Sequence, residues 1–304
     1  MKDFFLPQRR KDTEILRELK KTFKNLCLSM FICGLFFLFP TNILSQKIAV
    51  LTPEKNEQTI KFVEKFAESL EENLAVIDLS LAENVLRIKE LESPFNLSND
   101  EAKNLGMSIG CNFFILIKSE TLRRSSFQQN EFYEANAVFY LVSSKTGRLV
   151  FWTLEKFDEN SPSKATAKLF ASIEKFAENI SKEINISQKK ELKEQVQNIE
   201  EVPDENSPEA KGLRPPLPFR RIKPEYTRLA SFYSVTATVD ILVDVGADGK
   251  ILRTEIVRWA GFGLDESVIK TVNEMIWRPS DRDGKTLPMR VLLRYNFKKI
   301  ETEE

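Results

Sequence analysis

A strict alternation of residue types from Val235 to Val245 is the feature that most constrains how this chain folds. The odd positions carry Val, Ala or Ile, and the even positions carry Thr, Asp or Leu. A period of two predicts a β-strand with one buried face. Asp248 and Gly249 follow this strand and indicate a hairpin turn, because glycine adopts positive φ without steric cost. The sequence therefore predicts a hairpin whose second strand returns along residues 251–257.

The last part of the chain extends this hairpin into a small mixed sheet. Residues 264–276 predict a helix, with Asp265 as its capping residue, and Pro279 stops it. The expected apolar stripe of that helix consists of Leu264, Val268, Val272, Met275 and Ile276. A turn at residues 282–285 leads into a last strand from Met289 to Phe297. The predicted unit is ββαβ, with the helix on one face of the sheet.

Residues 215–299 resemble the C-terminal domain of the TonB family of energy transducers. The parts that carry the resemblance are Lys223-Pro224-Glu225-Tyr226, the alternating strand, the Asp248-Gly249 turn, the amphipathic helix, Trp277-Arg278-Pro279 and the last strand. The resemblance implies a binding module whose last strand is a sheet edge. A segment of an outer-membrane receptor would add to that edge by β-augmentation, since an exposed edge carries unpaired N–H and C=O groups.

The resemblance also implies a set of partner-binding residues. They are Arg220, Arg221, Tyr226, Arg290, Leu292, Arg294 and Asn296. Arg290 and Arg294 fit two interpretations: they recognise a partner, or their charge prevents promiscuous edge pairing. Two positions depart from the family pattern, with Thr227 where proline usually follows the tyrosine and Ser234 where a glycine usually precedes the first strand.

The composition excludes several classes of chemistry. The chain has no histidine, which removes Ser-His-Asp and Cys-His nucleophiles and His-based zinc sites. We therefore expect a non-enzymatic protein with no cofactor and no metal. Forty-five basic residues balance 45 acidic ones, so nucleic acid is not an expected partner. Of the three cysteines, Cys111 lacks an obvious partner and is expected to be a small core residue.

The N-terminus predicts a membrane-directed segment. Residues 1–24 are rich in Lys and Arg, and residues 25–46 contain no charge. The positive-inside rule places 1–24 in the cytoplasm. Residues 25–46 fit a retained transmembrane anchor, or a signal peptide cleaved near Ser45. Either interpretation places the remaining chain outside the cytoplasm, in the periplasm.

Residues 47–183 predict a periplasmic α/β domain, and residues 184–222 a charged linker that contains proline. Strands are expected near 47–51, 74–79, 111–119, 134–143 and 149–157, with a long final helix. This domain loosely resembles CsgG/TolB-N-type envelope domains. The linker run from Arg214 to Arg221 favours polyproline II geometry and would act as an extended spacer. The expected fold class is α+β: membrane segment, α/β domain, linker and a TonB-like ββαβ domain at residues 223–299.

Two functional hypotheses follow. The first is a TonB-like energy transducer in the inner membrane that binds TonB-dependent outer-membrane receptors by strand addition and serves transport. An ExbB/ExbD-type motor is a further candidate partner, although the family couples to it through a transmembrane histidine that this chain lacks. The second is a secreted periplasmic scaffold or adaptor, with a cleaved signal peptide and no energy transduction.

Overall fold

The computed structural model describes residues 46–127, 131–193, 199–204 and 206–299. The predicted cytoplasmic segment 1–24 and all but the last residue of the predicted membrane segment 25–46 lie outside these ranges. Within them, no helix combines the length and the apolarity that crossing a bilayer requires.

Residues 46–193, which we call the N-terminal lobe, form a five-stranded sheet with helices on it. The strand order is β2-β1-β3-β4-β5, with β1 parallel to β2 and β3 and the other pairs antiparallel. The strands are β1 (Lys47–Leu51), β2 (Ala75–Val76), β3 (Phe113–Arg124), β4 (Phe132–Ser143) and β5 (Leu149–Glu159). The helices are α1 (Glu57–Glu71), α2 (Leu79–Ile88), α3 (Asn99–Ile109), α4 (Pro162–Ala171) and α5 (Ile173–Glu191).

Both faces of this sheet are apolar, so both must be covered. Helices α1, α4 and α5 cover one face, where the rings of Phe62, Phe66 and Phe139 pack together. Helices α2 and α3 lie against part of the other face. The rest of that face includes Tyr140 and Trp152, which are covered by residues from the end of the chain.

The long final helix predicted from sequence is two helices. The helix is interrupted at Ser172, whose hydroxyl donates to the carbonyl of Leu169 at 2.6 Å. The apolar positions on which that prediction depended are all buried, namely Ala165, Leu169, Ile173, Phe176 and Ile180. Cys111 is also buried, as expected, and burial raises the pKa of its thiol.

Residues 206–299, which we call the C-terminal lobe, contain the predicted ββαβ unit. Its antiparallel sheet has the order β13-β8-β9. The main elements are β8 (Ala237–Val245), β9 (Ile251–Arg258), α7 (Leu264–Asn273) and β13 (Met289–Phe297). The smaller elements are β6 (Leu213–Arg214), β7 (Leu217–Pro218), α6 (Arg228–Phe232), β10 (Trp277–Arg278), β11 (Ser280–Arg282) and β12 (Lys285–Leu287).

Two details of helix α7 were wrong in the sequence prediction. The helix ends at Asn273, and Ile276 is 74% exposed instead of completing the apolar stripe. Gly263 occupies the N-cap position, so Asp265 does not cap the helix. Asp265 instead accepts the backbone N–H groups of Ala260 and Gly261, at 3.0 and 2.9 Å. It thus holds the loop that precedes the helix.

The predicted extended spacer is also not what the structure shows. Strand β6 pairs with β11, and β7 pairs with β10, so this segment lies along the C-terminal lobe. Polyproline II and β conformations occupy neighbouring φ/ψ values. The same residues therefore form paired strands where a sheet edge is within reach, which the local composition does not reveal.

The two lobes meet through polar contacts made by Asn96, in the loop between α2 and α3. Its side-chain amide donates to the carbonyls of Thr238 at 2.8 Å and Trp259 at 2.6 Å, and its side-chain oxygen accepts the N–H of Thr238 at 2.9 Å. The guanidinium of Arg258 donates to the carbonyl of Asn96 and pairs with Glu101.

An apolar contact accompanies these bonds. Trp259 is 1% exposed, contacts the ring of Tyr140, and donates its indole N–H to the carbonyl of Gly147. Phe262 packs on Trp152 with ring centroids 4.9 Å apart. The C-terminal lobe thereby covers the remaining apolar face of the first sheet, and the chain from Gln46 onward forms one compact unit.

Candidate protein-binding edge

Strand β13 lies at the edge of the C-terminal sheet, as the resemblance implied, and its side chains alternate as predicted. Leu293, Tyr295 and Phe297 are buried against the core. The opposite face carries the four residues of this strand that were predicted to bind a partner, namely Arg290, Leu292, Arg294 and Asn296.

The backbone of β13 has one bonded side and one outward side. The N–H of Arg290 donates to the carbonyl of Glu200 at 2.8 Å, and its carbonyl accepts the N–H of Val202 at 3.0 Å. Backbone groups alternate in direction along an antiparallel ladder. Leu292, Arg294 and Asn296 therefore present their backbone groups outward as Arg290 does.

Only part of this outward side is occupied by other described residues. Residues 199–204, which we call the cap segment, cover the Arg290 end. The Arg221 guanidinium donates to the carbonyl of Arg294 at 3.1 Å and lies over the ring of Tyr295. Within the described ranges, no backbone group pairs with the outward groups of Leu292 or Asn296. The stretch from Leu292 to Asn296, apart from the Arg294 carbonyl that Arg221 occupies, is the open part of the edge.

Arg290 and Arg294 have intramolecular partners that neither sequence interpretation anticipated. Each makes a two-pronged contact with a carboxylate of β8: Arg290 with Asp244 at 2.6 and 2.9 Å, and Arg294 with Asp240 at 2.7 and 2.9 Å. The Asp244 and Asp240 side chains are 3% and 7% exposed. The hydrogen bonds that Arg290 donates to Asp244 raise the pKa of the Arg290 guanidinium. Much of each guanidinium's charge therefore neutralises a buried carboxylate.

Leu292 is the apolar position between these two ion pairs. It is 50% exposed and lies opposite Leu242 of β8. Asn296 is exposed, and its side-chain oxygen accepts the hydroxyl of Thr238 at 2.9 Å. An added strand would meet an apolar spot bordered by paired charges, with a polar amide at its far end.

The structure gives Tyr226 a packing role. Its hydroxyl donates to the carbonyls of Val235 at 2.8 Å and Ala230 at 3.1 Å, and its ring stacks on Phe297. Partial burial raises the pKa of Tyr226. Arg220 is exposed and lies in the same segment as Arg221.

A groove beside the edge was not predicted from the sequence. A cavity of about 660 Å³ lies between residues 89–97 of the N-terminal lobe and the face of the C-terminal sheet that carries Arg294 and Asn296. Arg258 and Thr238 also line it. The only local signal in this loop was its polar composition, which does not show which distant surface it borders.

An open antiparallel edge beside a groove has the geometry that strand addition uses. Residues 222–298 match the sequence model of the family described as Gram-negative bacterial TonB protein C-terminal. This part of the chain is a TonB C-terminal domain.

Three solved structures are similar to parts of this chain. The TonB C-terminal domain of Pseudomonas aeruginosa is 21% identical with a TM-score of 0.25, covering 29% of this chain and 90% of its own. The hypothetical protein CT253 from Chlamydia trachomatis is 13% identical with a TM-score of 0.33, covering 45% and 98%. Lipoprotein GNA1162 from Neisseria meningitidis is 17% identical with a TM-score of 0.32, covering 44% and 99%. No curated protein sequence matches this chain.

Proposed function

We propose that this chain is a TonB-like periplasmic binding protein, tethered to the inner membrane, that engages outer-membrane receptors or other envelope partners by strand addition. The observation that carries the proposal is the open backbone from Leu292 to Asn296. Each unpaired N–H and C=O there offers a bond to an extended partner segment. The proposed role is binding in energy-dependent transport, without catalysis.

A second candidate is a periplasmic adaptor that transduces no energy. Two observations favour it. The segment expected to be an extended spacer lies along the C-terminal lobe through β6 and β7, which shortens its reach. The chain also has no histidine for the family's route of coupling to an ExbB/ExbD-type motor. Sequencing the N-terminus of the mature protein separates the candidates, since a start at Gln46 or Lys47 rules out the anchored transducer.

The substitution Leu292→Pro tests whether a partner binds by strand addition. The N–H of Leu292 points away from β8, so Leu292→Pro removes a bond to the partner and no bond of the sheet. Leu292→Ala is the matched control, because it shortens the same side chain and keeps the N–H. We expect Leu292→Pro to weaken binding of N-terminal peptides from TonB-dependent receptors by about tenfold or more, the equivalent of about 1.4 kcal/mol.

The binding measurement needs a folding check, since proline also restricts φ in the strand. Circular dichroism melting of both variants provides it. If Leu292→Pro remains folded and binds as tightly as Leu292→Ala, the partner does not pair with this edge and the proposal fails.

A further inference from the structure

The cap segment occupies one end of the edge in the manner of a partner strand. Glu201 pairs with Arg290 in parallel orientation. The two backbone bonds, from Arg290 to Glu200 and from Val202 to Arg290, follow the slanted pattern of a parallel ladder. The chain thus supplies, from its own residues, the kind of contact that strand addition requires.

Charge supports the same placement. The Glu200 carboxylate lies 2.6 Å from the Arg282 guanidinium, and the Glu201 carboxylate lies 3.8 Å from that of Arg290. The cap segment carries three acidic residues and no basic one. This end of the edge is therefore matched to an extended acidic segment.

The pairing of the cap segment with β13 is short and ends before Leu292. The next two bonds in register would join the N–H of Leu292 to the carbonyl of Val202 and the N–H of Asp204 to the carbonyl of Leu292, and neither forms. Pro203 lies between, and its ring holds φ near −65°, away from the value of about −120° in parallel strands. The open part of the edge begins where the cap segment leaves it.

We propose that the cap segment is an internal stand-in for a partner strand, which an extended acidic segment of the partner displaces when it pairs along the whole of β13. The inference rests on the proposed function, because it needs a partner that adds to this edge. It assigns the Arg282 and Arg290 end as the subsite for the partner's acidic residues, and it makes the cap segment a competitor for that subsite.

The test removes one backbone donor of the cap segment. Val202→Pro deletes the N–H that binds Arg290. Val202→Ala is the matched control, because it shortens the same side chain and keeps the N–H. Hydrogen exchange on the full chain should show faster exchange of the Arg290 amide in Val202→Pro than in Val202→Ala or the unaltered protein. Equal exchange in all three overturns the proposal.

Peptide-binding measurements test whether the cap segment competes with the partner for the edge. The probes are N-terminal peptides of TonB-dependent receptors in two forms, one with its acidic residues and one with those residues changed to Gln or Asn. If the cap segment occupies the edge about nine-tenths of the time, releasing it tightens the apparent affinity about tenfold. We expect that gain in Val202→Pro, for the acidic peptide more than for its neutral form.

The outcomes separate this inference from the proposed function. If all three proteins bind the acidic peptide equally and Leu292→Pro abolishes binding, strand addition stands and the competing role of the cap segment is wrong. If both peptide forms gain equally, competition stands and the acidic subsite is wrong. If no protein binds either peptide, the proposed function fails, and the competing role fails with it even where the exchange result confirms the pairing.

Discussion

The side chain of Asn96 is predicted to hold the two lobes in one cooperative unit, and Asn96→Ala tests this. The substitution deletes three hydrogen bonds to the backbone of the C-terminal lobe, of 2.6, 2.8 and 2.9 Å. It leaves the N–H and carbonyl of Thr238 and the carbonyl of Trp259 without these partners. A typical hydrogen bond contributes about 0.5–1.5 kcal/mol net, and a buried group left unpaired costs more.

These values give a loss of about 3 kcal/mol, because Asn96 is half-buried and water reaches some of the freed groups. For a unit of this size, such a loss lowers Tm by roughly 6–12 °C. The assay is guanidinium unfolding followed by tryptophan emission and by circular dichroism. Trp152 and Trp259 lie where the two lobes meet, so tryptophan emission reports largely on the contact between the lobes, whereas circular dichroism reports on the secondary structure of both.

We expect both signals to change in a single coincident transition, shifted as a whole by Asn96→Ala. Asn104→Ala, at an exposed position of α3, is the control and should change stability by no more than about 0.5 kcal/mol. Two separate transitions in the unaltered protein, or a shift by Asn96→Ala as small as that of the control, would refute the reasoning.

Two further predictions concern pH and packing. Burial raises the pKa of Asp265 to about 7, against the lowering effect of the N–H groups of Gly261 and Ala260. The folded-state pKa lies above the unfolded value of about 3.8, so the free energy of unfolding should fall as pH rises from about 4 to 7, by up to about 1.4 kcal/mol per pH unit. Urea unfolding at pH 5 and pH 7.5 should show this decrease. Asp265→Asn should make the free energy of unfolding less dependent on pH. Gly147 has φ of +72°, and a Cβ there would overlap the backbone of Asn99. Gly147→Ala should therefore lower Tm clearly in a thermal melt, whereas an unchanged Tm would show that the turn at Gly147 packs loosely on the start of α3.

The C-terminal sheet was predictable because its pattern is local. Alternation from Val235 to Val245, followed by Asp248 and Gly249, predicted the hairpin, and the structure confirms it with β8 and β9. The same period placed Leu293 and Tyr295 inside the core. A period of two reports which face of a strand is buried, and this information does not depend on the rest of the molecule.

The candidate site was predictable only in part. The edge position of β13 and the outward face of Leu292 agree with the sequence prediction. The partners of Arg290 and Arg294 were missed, even though Asp244 and Asp240 occupy the matching face of the alternating strand. Finding them required the register between β13 and β8, which is set by tertiary pairing of residues about 50 positions apart.

The sequence by itself determined the main strands of both lobes, the TonB-like order of elements at the C-terminus and the absence of histidine chemistry. Only the tertiary structure decided that the lobes share an apolar core, that Asn96 and Trp259 join them, and that Glu200–Val202 covers one end of the edge. The physical reason is that local periodicity shows that a surface must be buried, whereas the surface that covers it is chosen by long-range packing.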